Sequence, residues 1–341
     1  MNDPQPGGSH GKPYRTTKVL SHAARRRGCR VAAPGARAQQ PIGKIRRLGV
    51  LLPGLPESYF GKAMRDRLRA LGYIEGGNII LETRWAEGKD WRLAQLAAEL
   101  AALPLDAIIT FATPAAIAAR KATTTIPIIF VYVGDPVGTG VVPSLARPGG
   151  NATGISMLAT ELAAKRLEIL LEVAPNTSRV AMLWNDSNPS MVLRARESQD
   201  VAPKLGITIE SIGVRDLINF DSAFARIENG RIDALLTLVD PFTSQHRQRI
   251  AEFAAHRRLP AIYESREFVE VGGLISYGPN LVAIEQRAAE YVDKVFKGAK
   301  PADLPVEQPT KFEMLVNMKT AKALGLSIPQ SVMLRADQLI E

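Results

Sequence analysis

From residue 48 the chain alternates short, unbroken apolar runs with longer stretches that are apolar along one side only. LGVLLPG (48–54) is followed by YFGKAMRDRLRALG (59–72), whose pattern is helical and whose last residue is a helix-ending glycine. NIILETRW (78–85) precedes WRLAQLAAELAAL (91–103), and DAIITFAT (106–113) runs into PAAIAARKA (114–122). IPIIFVYVG (126–134) then opens into a glycine- and proline-rich loop that carries one acid, Asp135. The pattern restarts with the helix-like ELAAKRLEILLEVAP (161–175), the run RVAMLWN (179–185) and the helix-like segment 189–206. Further apolar runs follow at ITIESIGV, DALLTLVD, PAIYES and GGLISYG, with helical segments between most of them.

Continuous apolar strands separated by helices indicate parallel sheets covered on both faces. Two successive blocks of this kind predict an α/β chain with two doubly wound lobes, and 341 residues suffice for two cores.

Residues 1–43 do not share the pattern. They are poor in large apolar side chains and rich in Arg, Gly and Pro, so they are expected to form a leader or a disordered tail. Ala36-Arg37-Ala38 before Gln39 has the small-x-small form of a secretory cleavage site, which places a cut near 38/39. The stretch before it, GCRVAAPGA, is interrupted by Arg30 and Pro34, so the signal-peptide-like leader lacks the usual apolar core.

The leader also changes the meaning of the charge. The whole chain is +9, yet residues 1–38 hold eight basic side chains and one acid, leaving 35 basic and 33 acidic residues beyond them. That balance requires no nucleic-acid-binding face. No apolar run of membrane-spanning length occurs, so no direct membrane insertion is expected. The single cysteine, Cys29, lies in the leader, which leaves the folded part without a thiol nucleophile, a disulfide or a cysteine metal site.

Candidate chemistry is sparse. Gly138-Thr139-Gly140 supplies two glycines of a dinucleotide fingerprint, but Pro143 stands at the third place and no Gly-Lys-Ser/Thr follows anywhere. His246 and His256 are the only histidines of the folded part, lie well off one helical face, and read as solvent-facing. No serine elbow and no His-Glu-x-x-His motif appears. No catalytic residue, metal site or cofactor is therefore expected.

A binding crevice is better supported. Thr113 suits a helix N-cap and Pro114 the first helical position, so the amides of Ala115 and Ala116 would point above the strands as a carboxylate site. Asp135, Asn185-Asp186, Asp240, Tyr263-Glu264 and Tyr277 fall at other strand ends, where a doubly wound sheet holds its ligand. An anion-binding helix end facing acids and aromatic rings suits a zwitterion with an apolar body.

Three long segments carry a family likeness. DPVGTGVVPSLARPGGNATGIS (135–156), RLPAIYESREFVEVGGLISYGPN (258–280) and FEMLVNMKTAKALGLSIPQSVMLRADQLIE (312–341) resemble the ABC-transporter substrate-binding family that includes tryptophan/tyrosine-type binding proteins, and the resemblance spans 44–341. It implies a type I periplasmic-binding fold, with two lobes joined by three crossovers and closing on a ligand. The crossings would fall at NATGISM, LISYG and 305–311, giving an N-terminal lobe of 44–154 and 276–305 and a C-terminal lobe of 155–275 and 306–341. By position the cleft would be lined by Pro53, Gly54, Thr113, Ala115, Ala116, Asp135, Asn185, Asp186, Asp240 and Tyr277.

The function this implies is an exported, periplasmic solute receptor, a monomer that delivers a small zwitterion or carboxylate to an ABC permease and its ATPase. An amino acid with an aromatic or branched side chain is the expected ligand. Carboxylate on the amides after Thr113 and ammonium on Asp135 or Asp240 is the expected pose. Two alternatives share the architecture: the effector domain of a repressor-like regulator, which would need an N-terminal helix-turn-helix, and a doubly wound enzyme.

Overall fold

Strands buried on both faces need apolar residues at every position, and the central runs of this chain meet that demand. In the computed structural model, which describes residues 44–55, 61–157 and 161–341, they form two sheets. The first contains β1 (Arg46–Leu52), β2 (Ile79–Trp85), β3 (Ala107–Phe111), β4 (Ile128–Val133) and β5 (Ala152–Ser156), all parallel, in the order β2-β1-β3-β4-β5. Every residue of β3 and β5 is buried. β5 approaches β4 so closely that a Cβ on Gly154 would lie 1.9 Å from the Phe130 carbonyl oxygen, and only glycine fits.

Helices cover both faces of this sheet. Leu93–Ala101 and Ala112–Ala122 pack on one side through Leu96, Leu100, Ala115 and Ala119. On the other side lie Lys62–Ala70 and a helix from much later in the chain, Leu281–Phe296, whose Ile284, Ala288, Val292 and Phe296 complete the core.

The second sheet contains β6 (Arg179–Asn185), β7 (Thr208–Val214), β8 (Ala234–Thr237), β9 (Ala261–Tyr263), β10 (Ile275–Pro279), β11 (Phe312–Asn317) and β12 (Gln338–Ile340). Its order is β12-β11-β10-β9-β8-β6-β7. One face is covered by Leu167, Leu170, Met191 and Ala195 of helices Glu161–Val173 and Pro189–Val201; the other by Phe220, Ile227, Ile250 and Phe253 of helices Leu217–Asn229 and Arg247–His256. The expectation of wholly parallel sheets is corrected at one pair: β10 and β11 are antiparallel.

The chain passes between the sheets three times. It leaves the first after β5, returns after β10 into helix Leu281–Phe296, and leaves again toward β11. Before the last exchange Glu307 pairs with β5, with Ser156 N–H donating to Glu307 O at 2.8 Å and Glu307 N–H to Gly154 O at 3.0 Å. β5 ends at Ser156 and all of β10 stays in the second sheet, so the first two exchanges fall a few residues beyond 154/155 and 275/276. The two lobes and three crossovers make a type I periplasmic-binding fold. Residues 1–43, where a leader or disordered tail is expected, lie outside the described residues, among which no helix is long and apolar enough to cross a membrane.

Candidate ligand-binding site

Three non-glycine residues at the carboxyl ends of the first sheet hold left-handed backbone: Glu87 (φ 58°), two residues beyond β2, Ala112 (φ 65°), just after β3, and Tyr132 (φ 61°), near the end of β4. Such conformations cost about 1–3 kcal/mol each and collect where structure serves a ligand. At Tyr132 the pairing of β4 with β5 shifts register between Val131 and Val133, a bulge that re-aims a side chain. Its ring lies 5.9 Å from that of Phe111, and its hydroxyl is 3.0 Å from the Glu285 carboxylate and 3.2 Å from the Leu281 carbonyl.

Glu285 is itself buried. It accepts from the amides of Gly61 (3.0 Å), Ala63 (3.1 Å) and Met64 (3.4 Å), the otherwise unpaired donors at the start of helix Lys62–Ala70. Burial pushes its carboxyl up, and these four hydrogen bonds oppose the shift.

Between the lobes these groups enclose a cavity of about 50 Å³. Phe111, Tyr132, Met157 and Leu281 form its apolar side toward the first lobe, and Met191, Val239 and Pro241 face them from the second. Polar groups come from the second lobe: Asn188, Ser190, Arg194, Asp240, Ser244 and Glu267. A wider space of about 410 Å³ lies alongside, running from Pro53, Asp90, Trp91 and Pro114 to Arg215, Asp216 and Phe242. Asp240 borders both spaces. Burial, with the charge of Asp240 second, pushes the Asp90 carboxyl up to about 6.

The polar side is built on buried networks. Asp240 caps helix Pro241–Gln245, with Oδ1 accepting from the amides of Phe242 (3.1 Å) and Thr243 (3.0 Å). Its Oδ2 accepts from Asn185 Nδ2 (2.6 Å) and Asn188 Nδ2 (3.2 Å). Beneath, Glu264 is shared by two guanidiniums. Arg166 Nη1 lies 2.7 Å from Oε1, Arg194 Nη2 pairs with Oε2, and the Val239 amide donates to Oε2 at 2.7 Å. Arg166 also donates Nε to the Tyr277 carbonyl at 2.7 Å, and full burial pulls it down to about 10 against the opposing charge of Glu264.

Several residues expected at the cleft are placed elsewhere. Helix Ala112–Ala122 begins one residue before Thr113, with Phe111 as N-cap, because Ala112 takes the left-handed turn that starts it. Ala115 and Ala116 are thus fourth and fifth in the helix, where amides bond back along it, and their side chains pack in the core. Thr113 is no cap: its hydroxyl accepts from the Gly134 amide at 3.2 Å. Asp135 is spent on its own turn, accepting from the amides of Val137 (3.1 Å) and Gly138 (2.8 Å).

Asp186 pairs with Arg215 through two bonds of 2.9 and 2.6 Å. Tyr277 packs against the second lobe's core and Phe312. Pro53 and Asn185 border the wider space; the Gly54 carbonyl accepts from the Glu87 amide. His246, expected to face solvent, sits against the rings of Phe220 and Phe242, where burial holds its pKa down. Phe111, Tyr132, Met191, Arg194 and Glu267 escaped the sequence reading. Tyr132 alone left a trace, as the one hydroxylated ring within an otherwise apolar strand run.

The lobes are closed on each other. Gly88 of the first lobe faces Gln245 of the second, where a Cβ would lie 3.1 Å from Oε1, and Gly134 faces Ser190 more closely still. Away from the crossovers, no hydrogen bond or ion pair between described residues joins one lobe to the other.

The family described as ABC transporter substrate binding protein matches residues 53–340. The tyrosine-binding protein of Clostridioides difficile is 28% identical over 268 residues, which are 78% of this chain and 75% of that one. Among solved structures, a Streptococcus pneumonia domain in complex with L-Trp is 28% identical, with a TM-score of 0.81 and coverage of 86% of this chain and 99% of that one. A ligand-free, open substrate-binding protein with adhesive properties from Clostridium difficile is 25% identical, with coverage of 87% and 99%, but its TM-score is 0.63. At nearly equal coverage and identity, the chain is more similar to the ligand complex than to the open form.

Proposed function

The chain belongs to the ABC transporter substrate-binding protein family, extracytoplasmic solute receptors of ABC transporters, and from that premise we propose that its solute is an amino acid with an aromatic or large apolar side chain. The cavity between the lobes carries this reading together with the wider space of about 410 Å³ that shares Asp240 and Pro241 with it. About 50 Å³ alone is less than the roughly 150 Å³ that holds benzene. The cavity sets two aromatic rings and several apolar side chains against polar groups of both charge signs. Such a lining suits a zwitterion with an apolar body, whereas a sugar needs hydroxyl-matching groups around its whole rim. The relatives similar to this chain whose names specify tyrosine and L-Trp support the same class.

In this reading the chain works as a periplasmic monomer. The solute shifts it toward the closed form, and a permease with its ATPase partner accepts that form. Neither a repressor-like regulator nor an enzyme is favoured by the family.

A thermal-shift screen of the full chain tests the proposal. Tryptophan, tyrosine, phenylalanine or leucine is expected to raise the melting temperature in a concentration-dependent way, by mass action on the folded state. Stabilisation by glucose or myo-inositol alone would refute it.

A further inference from the structure

Of the three charged side chains that border the cavity, Asp240 is satisfied by its own surroundings, whereas Arg194 and Glu267, of opposite sign, each keep capacity unmet. Arg194 projects from helix Pro189–Val201 and Glu267 from the short helix after β9. We infer that the cavity is electrically polarised, with Arg194 receiving the carboxylate of the solute and Glu267 its ammonium. This assignment rests on the amino-acid reading above and sharpens it to the intact zwitterion.

On the positive side, two guanidiniums share one carboxylate. Glu264 is almost wholly buried and is bound by both Arg166 and Arg194. Arg194 Nη1 has only weak further contacts, the Val239 carbonyl at 3.4 Å and the Met191 sulfur at 3.8 Å. The remaining acid that acts on this pair is Glu197, one turn along the same helix, which does not border the cavity. Glu264 and Glu197 equal the two guanidiniums in number, but Glu197 forms no ion pair with either among the described residues. Arg194 therefore keeps Nη1 donors that a carboxylate arriving through the cavity can meet in the geometry the guanidinium fork matches.

On the negative side, the Glu267 carboxylate makes no hydrogen bond or ion pair among the described residues. The charges that act on it are Arg247, which favours its ionised form, and Glu270 and Glu285, which oppose it. Burial together with these two acids pushes its carboxyl up. An ammonium placed against it relieves both effects. The other acid on the cavity, Asp240, already accepts four N–H groups and has no capacity to spare.

Calorimetric titration of the full chain at neutral pH with L-tryptophan, L-tyrosine, L-phenylalanine and L-leucine comes first. Binding by none of the four refutes the amino-acid reading itself. The best binder is then compared with its deaminated and decarboxylated analogues; for tryptophan these are indole-3-propionate and tryptamine. Glu267→Gln is expected to weaken the amino acid about ten- to hundredfold, and the deaminated analogue less than threefold. Arg194→Lys, which keeps a charge beside Glu264, is expected to weaken the amino acid by a similar factor and leave the decarboxylated analogue unchanged. An amino acid bound equally well by Glu267→Gln, or a decarboxylated analogue bound as tightly as the amino acid, overturns the polarised cavity and leaves the amino-acid reading standing. Circular dichroism of each variant separates lost binding from lost folding.

Discussion

A Cβ built on Gly134 would stand 2.6 Å from the Cβ of Ser190 on the opposite lobe. Real Cβ atoms do not approach so closely, and Gly134 has no unusual backbone angle that would bar a side chain for other reasons. The glycine is therefore a condition of closure. Gly134→Ala is expected to weaken solute binding about tenfold or more, as overpacking of a tight contact costs roughly 1–3 kcal/mol. The melting temperature without solute should stay near that of the parent. Calorimetry on Gly134→Ala and on Gly134→Ala/Ser190→Gly checks this, with the second change expected to restore part of the affinity.

Asp90 and Asp240 come from opposite lobes, and closure brings their charges into the same space. The Asp90 carboxyl, pushed up to about 6, is less acidic in the closed form than in open water. A raised carboxyl favours the closed form when protonated, so closure takes up protons, and this contribution to affinity grows as pH falls from 7.5 toward 5. Asp90→Asn should bind more tightly than the parent at pH 7.5, by a smaller factor at pH 5, and about equally only below about pH 4, under the ordinary carboxylate pKa. A difference that does not shrink on acidification would rule this out.

Glu264 holds two guanidiniums in the interior of the second lobe. Replacing it by Gln leaves both buried without a full counter-charge, and the expected loss of unfolding free energy is about 3–5 kcal/mol. Urea denaturation of the parent and of Glu264→Gln measures it.

Glu285 caps the start of helix Lys62–Ala70 from another part of the chain and anchors the Tyr132 hydroxyl. Glu285→Ala strands these groups in the interior, at about 2 kcal/mol or more. Tyr132→Phe keeps the amides satisfied and should cost less, about 1 kcal/mol. Paired thermal melts distinguish the two.

The fold was readable because strands such as β3 and β4, almost wholly buried, must be mostly apolar and leave a nearly unbroken run, whereas β5 (ATGIS), equally buried, leaves none and reads as a crossing. The site was less readable, for local reasons. Asp135 and Asp240 sit at strand ends, as expected of ligand groups, but backbone amides claim the carboxylate of Asp135 and half the capacity of Asp240. A carboxylate near its own turn finds those donors first, and no sequence pattern separates a turn acid from a ligand acid. Ala112 displaced the start of its helix by one residue, because an alanine gives no sign of adopting a left-handed turn. Arg194 and Glu267 lie within helices, and only the packing of the second sheet turns both toward one cavity.

The seam between the lobes, close but crossed by no polar contact between described residues, also governs how the cycle ends. Where residues of a receptor grip one another, that grip outlasts the cargo and something must pry it open. Here the solute would be the clasp. In the proposed cycle its departure would loosen the halves and let the receptor reopen.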